Sequence, residues 1–166
     1  MPTGLKQSSS VVSIGFSVDE AGANTFAQGQ IDLNLSTLDR EVFVVLAINL
    51  DPFTPELTLG ADSTVACSLT TTSQTAVTNL SNSYCMAAST NKIRSNATGA
   101  VAFQSLGMET PPATLDYIGI IATNDFFVQV KGTGNVSALG VDGKLYGYRA
   151  VASADIYAAL VQSEVL

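Results

Sequence analysis

The chain has 166 residues, 46% of them hydrophobic and only 13% charged, with seven Lys+Arg against fourteen Asp+Glu, a net charge of −7, and neither histidine nor tryptophan. A soluble domain that stands alone carries about 25% charged residues, so this surface reads as one to be covered by other protein. The acidic balance argues against a partner held through its phosphates, and the missing histidine removes Ser-His and Cys-His nucleophiles and the commonest zinc ligand.

The length suits a single β domain over residues 1–166, with residues 1–18 as a candidate N-terminal arm. Val12, Ile14, Phe16 and Val18 alternate with Ser13, Gly15 and Ser17, which describes a strand with one apolar face. It is expected to pair either with its own sheet or with a neighbour's edge, and Ser8-Ser9-Ser10 before it favours the neighbour by letting the segment swing away from its own body. The serine and glycine of this stretch break the apolar run that a secretory signal needs, and none is expected.

Residues 30–35 alternate through Ile31, Leu33 and Leu35, as on a sheet edge with one wet side. Residues 42–48 are apolar at every position and rich in valine, which marks a central strand, ended by Asp51-Pro52 and Pro55. Neither this run nor 118–122 approaches the roughly 20 residues of a membrane helix, so no membrane span is expected.

From Ser63 to Asn91 no residue is charged and serine and threonine dominate, which reads as two or three weak strands joined by exposed loops, or as an outer surface. Pro111-Pro112 marks a break before a better organised C-terminal third. There 117–122 and 126–130 read as a hairpin across Thr123-Asn124-Asp125, and Gly132-Thr133-Gly134-Asn135 turns the chain again. Residues 136–141 and 144–151 read as a second hairpin across Asp142-Gly143, a pair that suits a type I′ turn. Residues 155–162 fit a helix capped by Ser153 or a strand with Ile156, Ala158, Leu160 and Gln162 on one face.

Candidate chemistry is sparse. Cys67 and Cys85 read as buried free thiols, with a disulfide between neighbouring strands as the alternative. The carboxylate pairs Asp39/Glu41 and Asp51/Glu56 read as solvated turn residues, not a glycosidase pair. Lys131-Gly132-Thr133-Gly134 lies between strands and is a turn, not a phosphate cradle. No catalytic residue, metal site or cofactor is expected. Sequons occur at Asn34, Asn79, Asn96 and Asn135; Asn79 and Asn96 are the better glycosylation candidates, because Asn34 falls in an expected strand. Tyr117, Tyr146, Tyr148 and Tyr157 have no interleaved basic residues and read as core or interface. The interface candidates are Val12, Ile14, Phe16 and Val18 of the arm, with Tyr146, Tyr148, Arg149 and Tyr157.

These elements give an all-β fold, an antiparallel sandwich or jelly-roll barrel with little helix. The segments 37–52, 122–132 and 145–151 resemble the strands of single-jelly-roll coat proteins of tailless icosahedral viruses. That resemblance implies a non-catalytic virion shell subunit whose partners are its own copies and other shell proteins, with nucleic acid not expected as a direct partner because no basic arm is seen. Two alternatives remain: a filament or surface-layer subunit assembled by strand addition, and a carbohydrate-binding β-sandwich, which usually displays tryptophan or tyrosine beside carboxylates.

Overall fold

The computed structural model describes residues 2–106 and 115–165, and the Pro111-Pro112 break lies outside them. The strands are β1 (Leu5–Gln7), β2 (Val12–Asp19), β3 (Ala27–Asp32), β4 (Glu41–Pro52), β5 (Ser63–Thr70), β6 (Cys85–Ser95), β7 (Ala100–Leu106), β8 (Gly119–Ile121), β9 (Asp125–Thr133) and β10 (Gly140–Ala152), followed by helix α1 (Ala154–Val165). One sheet runs β10-β4-β8, with β1 and β2 both pairing β10; the other runs β3-β9-β5-β6-β7.

The pairing is nested. β2 pairs β10, β3 pairs β9, β4 pairs β8 and β5 pairs β6, all antiparallel. A chain folded once into a long antiparallel double strand and then wrapped across two sheets gives this pattern, which is the jelly roll. β7 extends the second sheet beyond β6.

The all-apolar run in β4 follows from its position between β10 and β8, with a core on each face. Phe43 and Val45 point into the space between the sheets, while Val42 and Val44 point to the far side, where Tyr148, Ala150, Ala152 and α1 residues Ile156, Tyr157, Leu160 and Val161 cover them. Opposite Tyr146 and Gly147 the register skips Leu46. One extra residue reverses which face each later side chain takes. The inter-sheet series is therefore Phe43, Val45, Ile48, Leu50, and strict alternation is not seen in the sequence.

Residues 155–162 are helical. Ser153 Oγ accepts from the Ile156 N–H at 3.5 Å, and the Tyr157 N–H bonds the Ser153 carbonyl at 2.9 Å.

Three expectations are corrected. Asp142-Gly143 is not a turn: β10 runs through it, pairing Asp142 with Ser17 and Asp51, and Gly143 with Phe16 and Leu50. Glycine is needed there because a Cβ would meet the Asn49 carbonyl and the Phe16 ring. The other expected hairpin also fails, since β8 and β9 belong to different sheets and residues 122–124 cross between them. Likewise β5 is no weak outer strand; it lies between β9 and β6 with Val65, Cys67 and Leu69 fully buried.

Gly143→Ala is expected to destabilise the fold by about 1–3 kcal/mol, the usual cost of overpacking, in urea unfolding. An unchanged midpoint would show that the strand yields locally.

Candidate assembly surface

Of the eight residues expected at an interface, Val18 and Tyr148 are buried in the subunit and the other six are half-buried. Val18 is core, Val12, Ile14 and Phe16 pack against the inter-sheet cluster, and the Phe16 ring meets Phe126 edge-on at 5.7 Å between centroids. The arm is not free in this chain. The Ser8 N–H donates to the Arg149 carbonyl and the Arg149 N–H to Ser9 Oγ, each at 2.9 Å, so the serines tie the segment between β1 and β2 to β10. Of the two pairings expected for this strand, the one with the chain's own sheet is formed here, on β10.

Tyr148 is only 7% exposed and sits under α1, where burial pushes its phenol pKa up. Tyr157 is half-buried against the same cluster, and Tyr146 is half-buried in β10. Arg149 is turned inward, with Nε 3.2 Å from Glu41 Oε1 and an Nη2 donor to the Leu33 carbonyl at 2.8 Å. Asp39 accepts from Ser36 Oγ at 2.7 Å, so the two carboxylates beside Arg40 are turned to different partners.

Three glutamates clip backbone N–H groups at or near loops. Glu20, 5% exposed, accepts from the N–H groups of Gly132 and Leu139, each at 3.0 Å. Glu56 accepts from Val136 N–H at 3.2 Å and Ser137 N–H at 2.9 Å. Glu164, on α1, accepts from Ala122 N–H at 2.6 Å, Thr123 N–H at 2.9 Å and Thr123 Oγ1 at 2.7 Å. Hydrogen bonds to an ionised acceptor are roughly twice as strong as neutral ones.

Two of these clips gather the loops at one end of the sandwich. Asn24 and Asn135 exchange side-chain to backbone bonds at 2.8 and 2.9 Å, and Asn135 Oδ1 accepts from the Glu56 N–H at 3.0 Å. Asn135 is thereby buried, and its sequon is closed off as a surface feature. The Gly60 N–H reaches the Asn96 carbonyl at 3.2 Å, bringing the β6–β7 turn to the same end.

These pinned loops carry apolar side chains into solvent: Leu57, Leu59 and Val136, the last 79% exposed. Beside them Val101 and Phe103 stand exposed on β7. Phe103 borders two shallow clefts, one of about 410 Å³ with Pro52, Pro55 and Lys92, and one of about 580 Å³ with Arg94, Asn96 and Val101. Nothing in the sequence pattern marks these residues, because each is a lone apolar residue in a polar loop or an unremarked alanine-rich strand. Only the fold brings them together.

On the outer face of the second sheet the uncharged loop 71–84 folds back over β5 and β9. Buried Gln129 donates to Gln28 Oε1 at 2.9 Å and Thr70 Oγ1 at 2.7 Å and accepts from Ser68 Oγ at 2.7 Å, while the Thr78 N–H reaches Ser68 Oγ at 3.1 Å. This network takes up the Ser68 and Thr70 hydroxyls of the stretch whose composition suggested a loose surface. Asn79 and Asn96 are exposed, and each carboxamide oxygen accepts from the residue two places on. Asn34 lies beyond β3 with φ 52°, outside any strand.

Cys67 and Cys85 are free thiols; Cys67 faces Ser89 and Cys85 faces Thr70 across the β5–β6 pair. Burial pushes the Cys67 thiol up to about 12, so it stays protonated and inert. Among the described residues no helix is long and apolar enough to cross a membrane.

No family model and no curated protein matches the chain. A solved structure described as Desmodium yellow mottle tymovirus aligns with 93% of this chain and 95% of its own at 13% identity, with a TM-score of 0.33. That similarity is too loose to carry an argument, and the functional reading rests on the topology and surface described above.

The Glu56 carboxyl is held below its ordinary 4.5, first by the Ser137 hydroxyl and then, against some desolvation, by the Ser137 and Val136 N–H groups. Its folded pKa lies below its unfolded one. The clip therefore stabilises the fold above the ordinary carboxylate range, and that contribution is lost as pH falls through the lower folded value. Glu56→Gln should flatten the acid limb of stability below about pH 4.5, read from urea midpoints against pH; parallel wild-type and variant curves would contradict this.

Proposed function

We propose that this chain is the structural subunit of a virion shell, assembling with copies of itself and with any other shell proteins through edge and face contacts, and without catalysis. The observation that carries the reading is a set of exposed apolar side chains mounted on loops locked by the subunit's own carboxylates and asparagines. Flexible loops lose entropy when they dock, whereas these are already ordered, so contact costs less.

Two further features support it. The nested jelly-roll pairing occurs in shell, lectin and cupin domains, and this chain has no histidine for the metal of a cupin-like site. No tryptophan is available for a sugar platform, and one of the tyrosines, Tyr148, is core. The filament alternative needed β2 as a lent strand, but β2 is occupied by the chain's own β10.

The purified chain is expected to sediment as an oligomer whose mass holds when salt is raised, because the contacts are apolar and hydrogen-bonded and little screened. Negative-stain images should show closed shells, and filter binding should show no tight, steeply salt-dependent retention of RNA or DNA. A stable monomer at high concentration would overturn the reading.

A further inference from the structure

We infer that β7 is the strand by which two copies of this chain pair edge to edge, making one continuous sheet of two second sheets. The inference rests on the reading that the chain self-associates, and it names the contact.

Sheet edges are normally blunted by brevity, charge, proline or bulges, because bare N–H and C=O groups recruit other strands. Among the described residues three edges follow this rule or are otherwise occupied. β8 has three residues, β3 ends at Asp32 and its Gln28 and Gln30 side chains are tied to Ser73 and Asp125, and β2 ends at Asp19. β7 does not follow it. It is seven residues long, Ala-Val-Ala-Phe-Gln-Ser-Leu, with no charge and no proline, and it keeps unbroken register with β6 from Ser95/Ala100 to Ser89/Leu106. Residues 100–104 are exposed, and among the described residues β7 pairs only with β6.

An open edge of backbone is satisfied by another extended backbone, which leaves the question of whose. Charge admits a second copy, and self-complementarity selects it. Two chains of net charge −7 repel, yet residues 63–106 hold no Asp or Glu at all and carry Lys92 and Arg94. These two lie beside Phe103 and Val101 on β6. The strand that would meet its copy, β7, is uncharged, and of the two bases behind it on β6 Arg94 is paired with Asp62 at 3.6 Å, so two copies meet there without acid facing acid. An uncharged strand paired antiparallel with itself is also self-complementary, the requirement of a two-fold contact.

The symmetry makes a sharp demand. With the two-fold axis normal to the sheet, outer faces stay outer, so residues directly opposite share parity and one residue lies opposite its own copy. Opposed Cα atoms in an antiparallel pair are about 4.5–5.5 Å apart, within the reach of a disulfide.

The test is a cysteine scan in the full chain with Cys85→Ser: Val101→Cys, Ala102→Cys, Phe103→Cys and Gln104→Cys, with Gln30→Cys on the β3 edge as control. Each is exposed, so β circular dichroism should stay normal. Under mild oxidation one of the four β7 positions is expected to give a disulfide-linked dimer several-fold above its neighbours, and Gln30→Cys none. If sedimentation shows assembly but no β7 position exceeds the control, the inference is overturned while the shell reading stands. If the chain sediments as a monomer, both fall.

Discussion

The antiparallel pairing of β4 with β10 is the interaction on which the rest of this subunit depends. It joins Glu41–Pro52 to Gly140–Ala152 over eleven matched residue pairs, and it brings together chain segments nearly a hundred residues apart. Both faces of the pair are buried where they are most apolar. Val42, Phe43, Val44 and Val45 are fully enclosed, two turned toward the inter-sheet core and two toward α1. Each such side chain contributes about 1.5–3 kcal/mol on burial, so the four make a strip that neither sheet alone supplies. Every other element of the first sheet attaches to this pair: β1 and β2 to β10, and β8 to β4.

A second constraint is the economy of charge. With so few ionisable groups, the chain spends several of its carboxylates on loop backbone. Glu20, Glu56 and Glu164 each accept from backbone N–H groups where strands give way to loops or within a loop. Removing Glu20 or Glu164 leaves a buried donor, the N–H of Gly132 or of Ala122, unsatisfied, at a cost of about 1–3 kcal/mol. The same use of carboxylates leaves less charge on the surface, so the ordered loops present leucine and valine instead. Stiff loops and an apolar exterior are two results of one allocation, and together they suit a molecule whose surface is finished by contact with others.

The fold class was legible in the sequence because alternation and β-branching are local signals. The β2 face Val12, Ile14, Phe16, Val18 is the inner face found, and the run at 42–48 is the central strand, although its bulge at Leu46 is invisible without the partner strand. What was not legible is connectivity. Asp142-Gly143 has the composition of a tight turn, but the glycine answers to steric crowding by Phe16 and Asn49, residues distant in sequence. Thr123-Asn124-Asp125 looks like a hairpin turn because an arch between sheets uses the same residue types. β5 was hidden by its serines and threonines, of which Ser68 and Thr70 are bonded by Gln129 and loop 71–84, a network no local pattern announces. Tyrosine, arginine and alternating apolar residues have the same composition in a core as in an interface, and only the packing of α1 and β10 shows that Tyr148 and Val18 are enclosed within the subunit.

Native-state hydrogen exchange tests most directly whether the β4–β10 pair is the foundation. Amides of the strongest unit exchange only when the whole chain unfolds, whereas attached elements open with smaller free energies. The account predicts that the N–H groups of residues 42–50 and 141–150 that bond across this pair exchange last, at the global unfolding free energy. β3 and β7, at the two edges of the other sheet, should exchange sooner. Slower exchange in β5 and β9 than in β4 and β10 would contradict it and place the foundation in the second sheet.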